Sequence, residues 1–213
     1  ILKFLSIPGV RNNSDSFNPS GALLKAILIH SGKPMKNRVF SDGSTSQLSK
    51  YPSNQQGYGR VDISTFLNCG NTEEPQTTFS VRGGAWASEK FYVSLKETGE
   101  EHTYSFVVSN SEVPMPIRVT LVYTDIPAQP GQSPVLINMI SMIVKNNESQ
   151  EAFTRLNSDW VQDNVIVVDI LNPLPGTQFV VTIRADSLVG EQTYALVVSG
   201  ETDSLKELSI GTS

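Results

Sequence analysis

Hydrophobic positions along this chain follow two different patterns, and the change from one to the other comes near residue 70. Before it, Ala22-Leu23-Leu24-Lys25-Ala26-Ile27-Leu28-Ile29 is apolar on nearly every face of a helix, which predicts a buried helix rather than a surface amphipathic one. Asn18 is placed to cap it, because its side chain accepts an orphan backbone N–H, and Pro19 then takes the first helical position. Gly32 and Pro34 stop the helix, with Lys33 and Lys36 near its negative end. A loop over 41–56, rich in Ser, Gln and Asn, is expected to be exposed; a glycine-punctuated turn, Gly57-Tyr58-Gly59, follows it. Val61, Ile63, Phe66 and Leu67 then supply a short apolar segment. Nothing here reads as a sheet, so the helix needs cover from upstream sequence or from the domain that follows.

From 77 onward the pattern is short, alternating or β-branched runs. Strands are predicted at 79–81, 90–95, 103–108, 117–123, 135–144, 165–170, 179–183 and 194–198. Thr98-Gly99, Pro130-Gly131, Asn146-Asn147, the Pro173 to Gly176 stretch and Val189-Gly190 separate them as turns. About eight short strands with no helix between them predict an antiparallel sandwich or jelly roll. In 103–108, Thr103, Ser105 and Val107 alternate with Tyr104, Phe106 and Val108, so one face is able to pack.

Composition narrows the function classes. The chain has 213 residues and a net charge of −5, and no basic run tracks phosphates, which argues against nucleic acid as a partner. No apolar run approaches the roughly twenty residues of a membrane span. Cys69 is the only cysteine, so there is no intrachain disulfide and no cysteine metal site. The chain opens with Ile1 and shows no signal peptide, so a start codon and targeting segment are expected upstream. Asn12-Asn13-Ser14 and Asn147-Glu148-Ser149 are glycosylation acceptors if the protein follows a eukaryotic secretory route.

Two strings in order carry a family resemblance. The stretch from Pro19 through Leu23-Leu24-Lys25-Ala26 to Ile29, then Gln56-Gly57-Tyr58-Gly59-Arg60-Val61, resembles the segment that follows the serine helix in subtilisin-like serine proteases. In that family a helix of the form S/P-x-x-L-L-K-A-x-L-I precedes a Q-G-x-G-R-V string. Further on, Leu121-Val122-Tyr123-Thr124-Asp125-Ile126-Pro127 is similar to the L-V-W-S-D-x-P strand of sandwiches appended to some of these proteases. The runs 136–143, 163–168 and 176–183 stand where three further strands of such sandwiches lie.

The resemblance implies a mainly β chain: an antiparallel, jelly-roll-like β-sandwich preceded by a short helical remnant of a subtilisin-like α/β catalytic domain. The implied division is 1–68 for the end of that catalytic domain, 69–76 for a linker, 77–200 for the sandwich and 201–213 for a tail. It places the Asp-His-Ser triad upstream and gives this chain no catalytic residue and no cofactor of its own. The upstream catalytic domain becomes the implied partner, protein or peptide the substrate of the parent, and the extracellular space its location. Calcium is the implied cation, since similar sandwiches hold it with acids in these strands and nearby loops. This chain has Met139, Ser141 and Ile166 at those places, which leaves Asp125 and Asp163 as candidate ligands or as ordinary turn residues.

Only His30 and His102 are available as an imidazole base. His30 ends the helix, where the dipole favours a partly charged ring, and reads as a packed or capping residue. His102 follows Glu100-Glu101 and reads as a solvated edge residue. Gly211-Thr212-Ser213 copies the start of the subtilase nucleophile motif but lies on the wrong side of both strings. Two other readings stay open: a carbohydrate- or protein-binding sandwich using Trp86, Trp160, Tyr58 and Tyr123, and a pseudoprotease with a decayed triad.

Overall fold

The structure is a computed structural model that describes residues 18–48, 51–63, 78–86, 92–110, 115–133, 135–153, 163–203 and 205–212. Cys69, Trp160, Asn12, Ser213 and the 69–76 linker lie outside the described residues. In chain order the first elements are β1 (Asn18–Pro19), α1 (Gly21–His30), β2 (Gly32–Lys33), β3 (Asn37–Val39), β4 (Thr45–Gln47) and β5 (Arg60–Val61). Then come β6 (Thr78–Gly83), β7 (Ala85–Trp86), β8 (Ser94–Leu95), β9 (Glu100–Val107), β10 (Ile117–Tyr123) and β11 (Met139–Asn146). The last are β12 (Ala152–Phe153), β13 (Val165–Ile170), β14 (Gln178–Ser187), β15 (Gln192–Gly200) and β16 (Lys206–Thr212).

Two five-stranded antiparallel sheets form the sandwich. One has the order β13-β10-β15-β6 with β8 also paired to β15; the other runs β12-β11-β14-β9-β16. Their facing sides bury Tyr104 and Phe106 of β9, Leu121 and Tyr123 of β10, Ile166 and Val168 of β13, Val181 and Ile183 of β14, and Tyr194 and Leu196 of β15. In the second sheet β11 and β14 alternate buried with more exposed positions along most of their length, because one face meets solvent. The first sheet differs. Its strands I-R-V-T-L-V-Y and V-I-V-V-D-I are buried at nearly every position, the signature of a strand covered on both faces.

The second cover is α1. Ala22, Leu23, Ala26 and Ile27 sit on Phe79 and Val81 of β6, Val122 of β10, Val165 and Val167 of β13, and Ala195 and Val197 of β15. Small residues bring helix and sheet close together. Gly84 has φ +81°, and a Cβ there would stand 2.7 Å from the Cβ of Leu23 and 3.1 Å from that of Ala195. A side chain at 84 would therefore meet both a left-handed backbone and the docked helix. At Gly59, φ +78°, a Cβ would stand 2.2 Å from the Lys33 carbonyl oxygen, where β2 and β5 pair.

Three expectations change. The N-cap is Ser20, whose Oγ accepts the Leu23 N–H at 3.1 Å, because Asn18 and Pro19 are taken up by pairing with Trp86 and Ala85. The helix is buried on one side only, with Leu24 44% and Leu28 50% exposed. The stretch beyond 200, expected as a tail, carries β16, which pairs along β9 from Lys206–Ser105 to Thr212–Glu100. Its K-E-L-S-I-G-T sequence alternates charged and apolar residues only weakly and carries little strand periodicity. Gly211 and Thr212 thus belong to an edge strand, not to a nucleophile turn.

Truncating Leu23, which is 1% exposed, should cost about 2–5 kcal/mol of unfolding free energy. Leu28→Ala on the outward face should change it by less than about 0.5 kcal/mol. Urea unfolding of the two variants side by side checks which face of α1 carries the docking.

Candidate functional site

Charged and titratable groups gather where the C-terminal end of α1 meets the first sheet, beside a recess of about 300 Å³. His30 is 4% exposed. Its Nδ1 lies 2.9 Å from Thr120 Oγ1 on β10 and its Nε2 2.7 Å from Ser199 Oγ on β15, so one ring ties the helix to two strands. The ring also meets Phe79 edge-on at 6.1 Å. Beneath it, the Arg118 guanidinium makes a bidentate pair with Asp169 on β13, Nε to Oδ1 at 2.6 Å and Nη2 to Oδ2 at 2.7 Å. Arg118 Nη1 also donates to the carbonyls of His30 and Gly32, at 3.1 and 2.8 Å, satisfying C=O groups the helix end leaves free. Tyr51 closes the side by donating to the Gly32 carbonyl at 3.0 Å.

Electrostatics follow from that geometry. Burial, aided by the Arg118 cation, holds the His30 pKa well below the ordinary imidazole value. The partly charged ring expected from the helix dipole is therefore corrected: desolvation and a neighbouring cation outweigh the dipole here. Burial also opposes the Arg118 charge, but Asp169 more than offsets it and the guanidinium pKa is raised.

The Ser199–His30 distance matches that of a hydrolase dyad, but the chemistry does not. A general base must take a proton and be stabilised as an imidazolium, usually by a carboxylate on its other nitrogen. Here the other nitrogen faces a threonine hydroxyl, the ring is buried, and the nearest strong charge is positive. The group is built to clamp a helix, not to activate a nucleophile.

A second polar chain crosses the inter-sheet core. Glu100 Oε1 lies 3.1 Å from His102 Nε2, His102 Nδ1 lies 2.7 Å from the Tyr194 hydroxyl, and that hydroxyl lies 2.6 Å from the Tyr104 hydroxyl. His102 is 1% exposed, so the solvated edge residue expected from its acidic neighbours is corrected: the pleat of β9 turns positions 100, 102 and 104 inward together. Burial pushes the Tyr104 hydroxyl up to about 12 and raises Tyr194 further in the same direction. Burial raises Glu100, but backbone N–H groups of Lys96 and Glu97 and the His102 ring bring it to a net value below an ordinary glutamate.

The two candidate calcium ligands do different work. Asp125 closes its own loop, accepting the N–H groups of Ile126 and Asn138 on Oδ1 at 2.9 Å each and of Ile137 on Oδ2 at 2.6 Å. Asp163 accepts the Tyr58 hydroxyl at 3.4 Å and lines a separate groove of about 540 Å³ with Met139, Ile143 and Phe153. Among the described residues no three His, Cys, Asp or Glu side chains converge as a metal site would need. Of the aromatic platform, Tyr123 is core at 1% exposure and donates to the Asn138 carbonyl.

Sequence reading missed Arg118, Asp169, Thr120 and Ser199. A signal existed: Arg118 and Asp169 are single charges inside two otherwise uncharged strands, and they are direct cross-strand partners. Reading it needed the pairing of β10 with β13, which the sequence alone does not supply.

No protein-family model matches the chain. It is 25% identical over 221 residues to the serine protease/ABC transporter B family protein tagA of Dictyostelium discoideum, an alignment covering 94% of this chain and 11% of that protein. It is 26% identical over 227 residues to tagD of the same organism, also described as a serine protease/ABC transporter B family protein, covering 88% of this chain and 12% of that one. The chain thus spans about a tenth of the length of these curated relatives and is linked weakly to proteases. Among the described residues no helix is long and apolar enough to cross a membrane.

Because the His30 pKa is depressed on folding, its neutral form stabilises the fold above the unfolded imidazole value of about 6.5. That stability is lost as pH falls from about 6.5 towards the folded pKa, at up to about 1.4 kcal/mol per pH unit. Unfolding free energies between pH 7 and 5 should show this slope, and His30→Gln should flatten it. In the second chain, Tyr194→Phe leaves both His102 and Tyr104 short of a partner and should cost about 1–3 kcal/mol. Tyr104→Phe, at the end of the chain, should cost less when the unfolding of the two variants is compared by calorimetry.

Proposed function

We infer that this chain is the C-terminal portion of a subtilisin-like serine endopeptidase, and that it supports the catalytic domain rather than performing the chemistry. The observation that carries this reading is the position of α1. One side of the helix is sealed on the sandwich, while Leu24 and Leu28 stand out on the other side. A helix with apolar residues on both sides is suited to join two bodies, and this is the helix whose sequence resembles the family. Relatives described as serine proteases, matched along most of this chain yet only about a tenth of their own length, support the same reading.

In the parent, a serine upstream attacks the peptide carbonyl, a histidine takes its proton, and an aspartate holds that histidine in the productive tautomer. The substrate is then protein or peptide and the location extracellular. This piece provides a stiff, double-faced sheet against which the end of the catalytic domain is held.

Expressing the longest continuous product that contains this chain tests the proposal. It should hydrolyse casein and be labelled by a fluorophosphonate at a serine before Ile1. Leu24→Asp with Leu28→Asp should shorten its half-life to thermal inactivation several-fold while leaving kcat for a small peptide nearly unchanged. Labelling inside residues 18–212, or no labelling at all, would overturn it.

A further inference from the structure

We propose that Asn147 is an N-glycosylation site, accepting an oligosaccharide from a polyprenyl-pyrophosphate donor. The inference rests on the extracellular reading above, because only a chain on a secretory route meets that donor. Asn147-Glu148-Ser149 has the acceptor pattern, in which a hydroxyl two residues on is required and the intervening residue is not proline. Such triplets occur by chance, so the fold has to decide whether this one is usable.

Its place in the fold is favourable. Asn147 lies in the turn that joins β11 to β12, and residues 147–151 are all exposed. The backbone of the turn is held without any help from the Asn147 side chain. Asn146 Oδ1 accepts the N–H groups of Glu148 and Ser149 at 2.9 and 3.1 Å, and the Asn146 N–H donates to the Glu151 carbonyl at 2.9 Å. The Asn147 N–H donates to the Gln178 carbonyl at 2.9 Å, tying the turn to the start of β14.

Among the described residues the acceptor nitrogen makes one side-chain contact, a 3.0 Å hydrogen bond to Oε1 of the half-buried Gln178. A primary amide nitrogen carries two hydrogens. In the transfer, Nδ2 bonds to C1 of the first sugar, the C1–oxygen bond to pyrophosphate breaks, and the polyprenyl pyrophosphate leaves. One amide proton passes to a base of the transferase, and the remaining N–H is still able to reach Gln178. The sugar is therefore added without loss of any hydrogen bond in the turn.

The test is to express the full chain behind a cleavable secretion leader in a eukaryotic host and map glycopeptides before and after peptide N-glycosidase. The secreted chain should carry a glycosidase-removable glycan on Asn147, lost completely in N147Q and in S149A and kept in S149T and N12Q. Secretion of folded chain with Asn147 unmodified would overturn the proposal, and because the leader imposes the route, it would leave the extracellular reading untouched. That reading fails separately if the native precursor, with its own upstream sequence, stays inside the cell.

Discussion

Covering the outer apolar face of the β13-β10-β15-β6 sheet is the requirement on which the rest of this structure depends. A sandwich normally buries one face of each sheet and leaves the other to water. Here Val122, Val165, Val167, Ala195 and Val197 line the outer face of one sheet, a patch that water would penalise strongly if left bare. Helix α1 meets that need, and small residues on both sides let it approach. Helix and sandwich are consequently one cooperative unit, even though the helix resembles one kind of domain and the strands another.

The same arrangement explains why a charged pair sits where helix meets sheet. Covering the sheet with a helix also buries the end of that helix, whose last carbonyls need donors. Arg118 supplies them, but a half-buried guanidinium needs a counter-charge, and Asp169 on the next strand provides it. Burial, aided by that cation, then holds the neighbouring His30 pKa well below the ordinary imidazole value. Arg118, Asp169 and His30 are thus successive answers to one problem of desolvation. Their proximity to a recess gives the region the look of a catalytic site without its chemistry.

Much of the fold was legible in the sequence because the strands bury apolar side chains with a period of two. The runs 117–123 and 165–170 coincide with β10 and β13. Strands covered on both faces were readable from their unbroken apolar character, and turns from their glycines and prolines. Short or edge elements were not legible. β1 and β12 are two residues each and exist only through their partners, and β16 takes its conformation from β9. The candidate site was the least visible part, since Arg118 and Asp169 are 51 residues apart and meaningful only as a pair. His102 misled for a related reason: its charged sequence neighbours gave no hint that every second residue of β9 turns into the core.

The Glu100–His102–Tyr194–Tyr104 chain has a consequence that concerns alignment more than energy. If β9 slid by two residues against its neighbours, inward side chains would stay inward and the apolar core would hardly notice. Oily contacts therefore leave a degenerate choice among positions two apart. The hydroxyls and the imidazole remove it, because only one placement lets His102 and Tyr104 on one sheet both meet the single hydroxyl of Tyr194 on the other. Every shifted placement strands buried polar atoms. In that sense the polar chain acts as an index mark between two otherwise interchangeable oily surfaces, telling the sheets where along their length to stop.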